Sequence, residues 1–250
     1  MKPLGPLGPL GRRQPPDLEH VKRYPLSALS LESPPSGTEK SLGLPWWWKD
    51  HDQGEEGSCV GFGSSAMMSI TNHAQRLKKT GEDITYRYEC HWLYEEAQLV
   101  DEWDDTPPAE GTSVRAACQI LQQRGHRRVQ KGVAGEENLA HGISAYRWAT
   151  NAEEIRAAIY AGLAVSIGIN WYSSFDKPKT VDGERWLPTG GDIGYVRGGH
   201  CVCLFRMSDR REAFQLMNSW GSAYAPTWAP YTLMNRLLQE WGEAVVITDR

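Results

Sequence analysis

The 250-residue sequence predicts an α+β protein. Two observations carry this reading. Apolar residues recur at helical spacing through the first half of the folded region, and apolar β-type runs separated by turns dominate the second, without the regular alternation of a parallel-sheet protein. Val60, Phe62, Ala66, Met67, Ile70, Ala74 and Leu77 fall three and four residues apart, so residues 59–78 read as a helix with Ser58 as N-cap and Gly81 as its end. A second, aromatic-rich helix is predicted over Tyr86–Leu99. Ser113 opens a third through Gln123, closed by Gly125, and Asn151 caps a fourth that Gly162 follows. Glu153 and Glu154 stand in the first turn of this last helix, where its dipole favours acidic groups. Strands are predicted at Leu163–Ile169, Cys201–Met207 and Glu212–Met217, the last two joined by the polar turn Ser208–Arg211.

Residues 1–45 differ in kind. Pro-Leu-Gly occurs three times between Pro3 and Gly11, and Pro15, Pro16, Pro25, Pro34, Pro35 and Pro45 follow, which predicts a Pro-rich N-terminal arm or linker. The repeat is too brief for a collagen helix. The stretch Val21–Leu29 is expected to lie on the domain surface as an extended segment. Residues 46–250 are expected to form the folded domain, with a helical lobe at about 46–130 and a β lobe at about 131–250.

Charge and composition exclude several classes. Lys and Arg number 27 against 31 Asp and Glu, a net charge of −4, and no basic stripe is present, so nucleic acid is not an expected partner. The longest apolar run, Ala161–Ile169, falls short of the roughly 20 residues that span a bilayer, and no membrane partner is expected. Pro3, Pro6 and Pro9 interrupt any signal-peptide apolar core, which leads to the expectation of a cytoplasmic protein. The 11 tryptophans imply a large buried aromatic surface. Five cysteines, an odd count without a CxxC pair, suggest free thiols rather than a disulfide framework or a zinc ribbon. The acidic run Asp101, Glu102, Asp104 and Asp105, leading into Pro107-Pro108, reads as a solvated loop rather than a metal site. No cofactor or metal is expected.

Cys59 stands at the first position of the long helix, where unpaired N–H groups and the helix dipole favour a thiolate. It closes the run Gln53-Gly54-Glu55-Glu56-Gly57-Ser58-Cys59. Gly198-Gly199-His200 and then Asn218-Ser219-Trp220-Gly221 follow downstream. These segments resemble the papain-like cysteine peptidases (peptidase C1 family), in a bacterial or phage style. That family's signatures are a Q-G-x-x-G-S-C run, a G-H opening a strand, and N-S-W-G in this order. Glu110-Gly111-Thr112-Ser113, the stretch Ile155–Ile169 and Trp171-Tyr172-Ser173-Ser174-Phe175 also look like their counterparts, and the likeness extends from near Leu44 to Asp249.

The resemblance implies a two-lobed fold, a helical lobe plus a β-barrel-like lobe, with the active-site cleft between them. It implies Cys59 as nucleophile, His200 as general base and acid, and Asn218 as the group orienting the imidazole. Gln53 would donate to the oxyanion together with the Cys59 N–H, and Trp220 would shield the His200–Asn218 hydrogen bond from water. The expected function is a cysteine peptidase that hydrolyses peptide or isopeptide bonds of a polypeptide through a Cys59 thioester. Two other readings stay open. One is an amide ligase, transamidase or cell-wall peptide hydrolase on the same fold; the other is a non-catalytic phage or virion interaction protein using the arm as an assembly handle.

Cys201 and Cys203 flank Val202 and share one strand face, where core packing accounts for them. His51 matches no role and is expected to be exposed. Glu56 stands where secreted members carry a disulfide-bonded cysteine, Val60 where the family has Trp, and Tyr224-Ala225 before Pro226 departs from the usual continuation. Glu55 and Glu56 are expected beside the cleft, disfavouring acidic substrates or slightly opposing thiolate formation. No folded prosegment of family length is expected before residue 46, and passage of the arm across the cleft is an open reading.

Overall fold

A computed structural model describes residues 10–104, 109–129, 141–190 and 193–248. In chain order these form α1 (Glu19–Arg23), β1 (Glu39–Ser41), α2 (Cys59–Thr80), α3 (Cys90–Gln98), α4 (Val114–Gln123), β2 (Ala145–Ala149), α5 (Ala152–Tyr160) and β3 (Val165–Tyr172). There follow β4 (Lys179–Val181), β5 (Glu184–Trp186), β6 (Val196–Ser208), β7 (Ala213–Met217), β8 (Thr227–Pro230), α6 (Tyr231–Gln239) and β9 (Glu243–Thr248). The α+β class holds, with α2 to α4 laid against a large sheet. Among the described residues no helix is long and apolar enough to cross a membrane.

α2 is more than an amphipathic surface helix. Every residue from Cys59 to Thr71 is buried, and only the C-terminal half emerges into solvent. Small residues make this enclosure possible: a Cβ at Gly63 would lie 2.8 Å from the Cys201 sulfur, so the helix backbone rides directly on β6. Lys78 and Lys79 occupy the last turn, where cations suit the dipole. Gly81 ends the helix in the left-handed conformation at φ 75°, its N–H on the Leu77 carbonyl.

The sheet runs β2-β9-β3-β6-β7-β8-β5-β4, with β1 added to β6. β6 is its hub. β3 pairs along it from Val196 to Leu204, and β7 and β1 pair with its C-terminal end. The expected β-barrel-like lobe is therefore corrected to an open sheet. β2 and β4 do not pair with each other, and the outer edge of β2 is taken by the arm, where Trp148 N–H donates to the Tyr24 carbonyl at 2.9 Å.

Other boundaries shift for identifiable reasons. The second helix begins at Cys90, because Tyr86–Glu89 runs extended against Arg127–Val129, where Glu89 N–H meets the Arg127 carbonyl. Val21–Leu29 does lie on the domain, but as α1 and a 3-10 turn at Leu26–Leu29 rather than extended. Ser113 and Asn151 cap α4 and α5 through their side chains, accepting from Ala116 N–H and Glu154 N–H. Ser58 does not cap α2: its hydroxyl is buried and makes no hydrogen bond. His51, expected in solvent, is buried, its ring 5.3 Å from that of Trp47 and 4.9 Å from that of Phe62.

Two predictions follow from these differences. Ser113→Ala should lower stability to chemical denaturant by about 1 kcal/mol, whereas Ser58→Ala should change it by less than about 0.5 kcal/mol, having no cap bond to lose. The second concerns acid. Burial holds His51 and His126 down to about 3 and His200 to about 4. His126 is locked in the neutral form, accepting from Arg127 N–H on one nitrogen and meeting Ser65 Oγ with the other. Between about pH 6.5 and pH 4 the unfolded chain binds these protons and the native chain does not, so stability falls as pH falls. Each histidine adds up to about 1.4 kcal/mol per pH unit, measurable by denaturant titration, and His126→Gln should flatten the slope.

Candidate active site

The predicted site residues converge where the N-terminus of α2 meets β6. Cys59, first residue of that helix, is fully buried, and the backbone N–H of Cys201, which follows His200, reaches its sulfur. His200 Nε2 lies 2.8 Å from Asn218 Oδ1. The same oxygen accepts the Ser219 N–H at 2.7 Å, so the amide is oriented with its oxygen toward the ring. With Nε2 committed to Asn218, the His200 ring presents Nδ1, which is buried and has no hydrogen-bond partner.

Gln53 is tied to the same turn. Its backbone N–H donates to the Ser219 carbonyl at 2.9 Å, its side-chain oxygen accepts from Ser219 Oγ at 2.5 Å, and its Nε2 donates to the Glu56 carbonyl at 2.7 Å. Ser219 thus links Gln53 to Asn218. Sequence reasoning assigned it no role, although it sits inside the N-S-W-G motif. Glu110 accepts the Gly57 N–H at 2.8 Å and steadies the loop two residues before Cys59. Glu56 turns its carboxylate to His91 Nδ1 at 2.6 Å.

Trp220 lies over His200, ring centroids 4.9 Å apart and tilted by 32°. Trp171, unassigned from sequence, meets the same imidazole edge-on at 4.7 Å, so two tryptophans rather than one enclose it. Cys201 and Cys203 are both buried, and Ser166 Oγ stands 3.2 Å from the Cys201 sulfur. All five cysteines are free, and among the described residues no group of three or more His, Cys, Asp or Glu is placed to hold a metal.

The arm occupies the cleft. Arg12 N–H donates to the Gly199 carbonyl at 3.0 Å, Thr112 N–H to the Gly11 carbonyl at 2.9 Å, and Arg13 N–H to the Thr112 carbonyl at 2.9 Å. The extended segment 11–13 therefore bridges the sheet side, just before His200, and the helical side, just before α4. Gly11 fits because it has no side chain: a Cβ there would fall 1.6 Å from the Gly57 carbonyl oxygen. The Gly11 and Arg12 amides lie near enough to Cys59 to favour negative charge on its sulfur.

This covering sets the electrostatics. Burial pushes the Cys59 thiol up to about 11 against the opposing pull of the Cys201, Gly11 and Arg12 amides. Burial likewise lowers His200 to about 4, with the Asn218 hydrogen bond opposing. At neutral pH the covered site holds a thiol and a neutral imidazole.

No family model matches the chain, and no curated protein matches it in sequence. Solved structures do. The crystal structure of xylellain, a cysteine protease from Xylella fastidiosa, aligns with a TM-score of 0.66 over 100% of both chains at 16% identity. Procathepsin B S9 from Trypanosoma congolense aligns at 0.64, with 11% identity over 96% of this chain and 87% of that one. Bromelain from Ananas comosus, solved with the inhibitor E64, aligns at 0.56, with 15% identity over 81% of this chain and 97% of its own. These likenesses, all below 20% identity, show the fold: the protein has the papain-like cysteine protease fold.

Proposed function

We propose that the protein is a cysteine peptidase that hydrolyses peptide or isopeptide bonds. The observation that carries the reading is the Asn218 Oδ1 to His200 Nε2 hydrogen bond, which leaves Nδ1 for a proton exchanged with Cys59 at the dipole-favoured end of α2. With the arm withdrawn, water and the amides at the helix start favour a thiolate beside an imidazolium. The Cys59 sulfur then attacks the scissile carbonyl carbon, forming a C–S bond and an oxyanion. The Cys59 N–H and the Gln53 amide, which carries two N–H bonds, stabilise that oxyanion. His200 protonates the leaving nitrogen as the C–N bond breaks, leaving a thioester. Water, giving a proton to His200, attacks the thioester, and the C–S bond breaks to release the acid and restore the thiol. Trp171 and Trp220 keep water from the His200–Asn218 bond, which strengthens it.

A peptide cleavage profile on a proteome-derived library, comparing wild type with Cys59→Ala, tests the reading. Cleavage should fall at least about a thousandfold in the variant. Equal cleavage by both would overturn it. Gln53→Ala should retain binding but reduce kcat by about a hundred- to a thousandfold. Product analysis with added amine should return free carboxylates, and a predominance of amide products would replace hydrolysis by transamidation.

A further inference from the structure

Trp171 meets His200 edge-on, and its own indole N–H is held by a buried carboxylate. Nε1 donates to Asp176 Oδ1 at 3.0 Å, across the 3-10 turn Ser173–Asp176 that follows β3. The Tyr224 hydroxyl donates to the Phe175 carbonyl at 2.8 Å and secures that turn, while the Phe175 ring lies edge-on to Trp171 at 5.4 Å. The same Asp176 oxygen takes Arg197 Nη1 at 2.5 Å, with both side chains largely withdrawn from solvent. Arg197 is placed there by an irregularity in β6: β3 pairs Trp171 with Gly198 and Tyr172 with Val196, which leaves Arg197 as an extra residue between them. Such a bulge re-aims the side chain it carries. Neither residue stood out in the sequence, since Asp176 follows the W-Y-S-S-F stretch and Arg197 precedes Gly198-Gly199-His200 without belonging to either motif.

We propose that Asp176 is a positioning residue for His200, holding the Trp171 indole edge-on to the imidazole and matching the charge of Arg197, so that the ring can carry a proton with a cation three residues away. The proposal rests on the reading of Cys59 and His200 as a peptidase pair. Around the ring stand Trp171 of β3, Asn218 and Trp220 of the turn after β7, and Cys59 at the start of α2. The arm backbone is hydrogen-bonded beside it at Gly199. The Arg12 guanidinium is itself held, with Nη2 2.6 Å from Glu243 Oε2 and 2.7 Å from the Trp241 carbonyl. Arg197 acts on His200: burial holds the imidazole down, the Asn218 hydrogen bond opposes it, and Arg197 adds to the lowering. An imidazolium is what the leaving nitrogen needs, so weakening the match between Arg197 and Asp176 turns that cation against the chemistry. The carboxylate supplies its countercharge in a charge-assisted hydrogen bond. Asp176 Oδ2 is buried without a hydrogen bond, so Arg197 and the indole N–H compensate the carboxylate through Oδ1. Tyr224, kept neutral by burial, and Arg185, 5.0 Å over its ring, complete the surroundings of Asp176.

The experiment reads the imidazole without requiring turnover. In the full chain with isotope-labelled histidine, the His200 ring signals, assigned by their loss in His200→Gln, are titrated by NMR. At about pH 4, the wild-type midpoint, the ring should be about one-tenth protonated in Asp176→Asn, which keeps an oxygen for the Trp171 N–H, and about nine-tenths protonated in Arg197→Gln. The double variant should return to about half, because the two charges act on the ring with opposite sign. A packing defect does not produce opposite shifts that cancel. In parallel, peptide cleavage by Asp176→Asn should lose about tenfold in kcat at neutral pH with KM unchanged and its alkaline limb moved to lower pH, and adding Arg197→Gln should restore both. A midpoint unmoved by the two substitutions, or moved the same way by both, overturns the proposal, as does full cleavage by Asp176→Asn with an unshifted limb. If the midpoint moves as expected while wild type itself cleaves no peptide, the pairing stands and the peptidase reading fails instead. Should Asp176→Asn fail to fold, the direction of the Arg197→Gln shift decides alone.

Discussion

The seating of the α2 N-terminus on β6 is the constraint to which the rest of the molecule answers. A helix buried on all sides for its first thirteen residues needs small side chains where it meets its neighbours, and Gly63 lets it press on the strand residue that follows His200. One packing contact thereby places a sulfur at the positive end of a helix and an imidazole within the adjacent strand. The Asn218–Ser219 turn completes it, one residue binding His200 and the next binding Gln53. Four side chains from three distant stretches are thus held by backbone geometry, and none depends on the mobility of a long surface chain.

The electrostatics of this site are conditional on what covers it. Sulfur and imidazole in a dry cleft are pushed toward neutrality, the opposite of what nucleophilic attack needs, while the same helix terminus in contact with water favours charge separation. The arm accordingly acts through the dielectric as well as through bulk. Its contribution to the site is to replace water by backbone amides and by a guanidinium held through Glu243 and the Trp241 carbonyl.

Much of this was legible from residues alone, and the exceptions share a cause. The caps at Ser113 and Asn151 were readable because a side-chain oxygen and a free N–H lie within three residues of each other. The motifs around Cys59, His200 and Asn218 were readable because each is contiguous. His51 was misplaced because its burial depends on Trp47 and Phe62, an aromatic cluster that closes only when the loop folds over α2. Ser58 was misassigned as a cap because a helix start packed against a second chain segment adopts a different backbone. β9, and with it the open sheet, carries little alternation because all but its last residue is buried, and β2 is half-buried over its first three residues. Glu243 gave no local signal at all: its meaning lies in Arg12, and only the folded chain brings the two together.

That pairing joins residues 231 positions apart, which bears on the order in which the chain acquires its shape. Closure over such a separation is entropically remote, and the partner carboxylate belongs to the last strand of the sheet. During synthesis the arm emerges first and has nothing to grip until β9 has been made and aligned on β2 and β3. The guanidinium therefore docks at the end of folding, onto a sheet already complete. Any event that loosens β9 releases the grip on the arm, and through the arm it reaches Cys59 from the covered side.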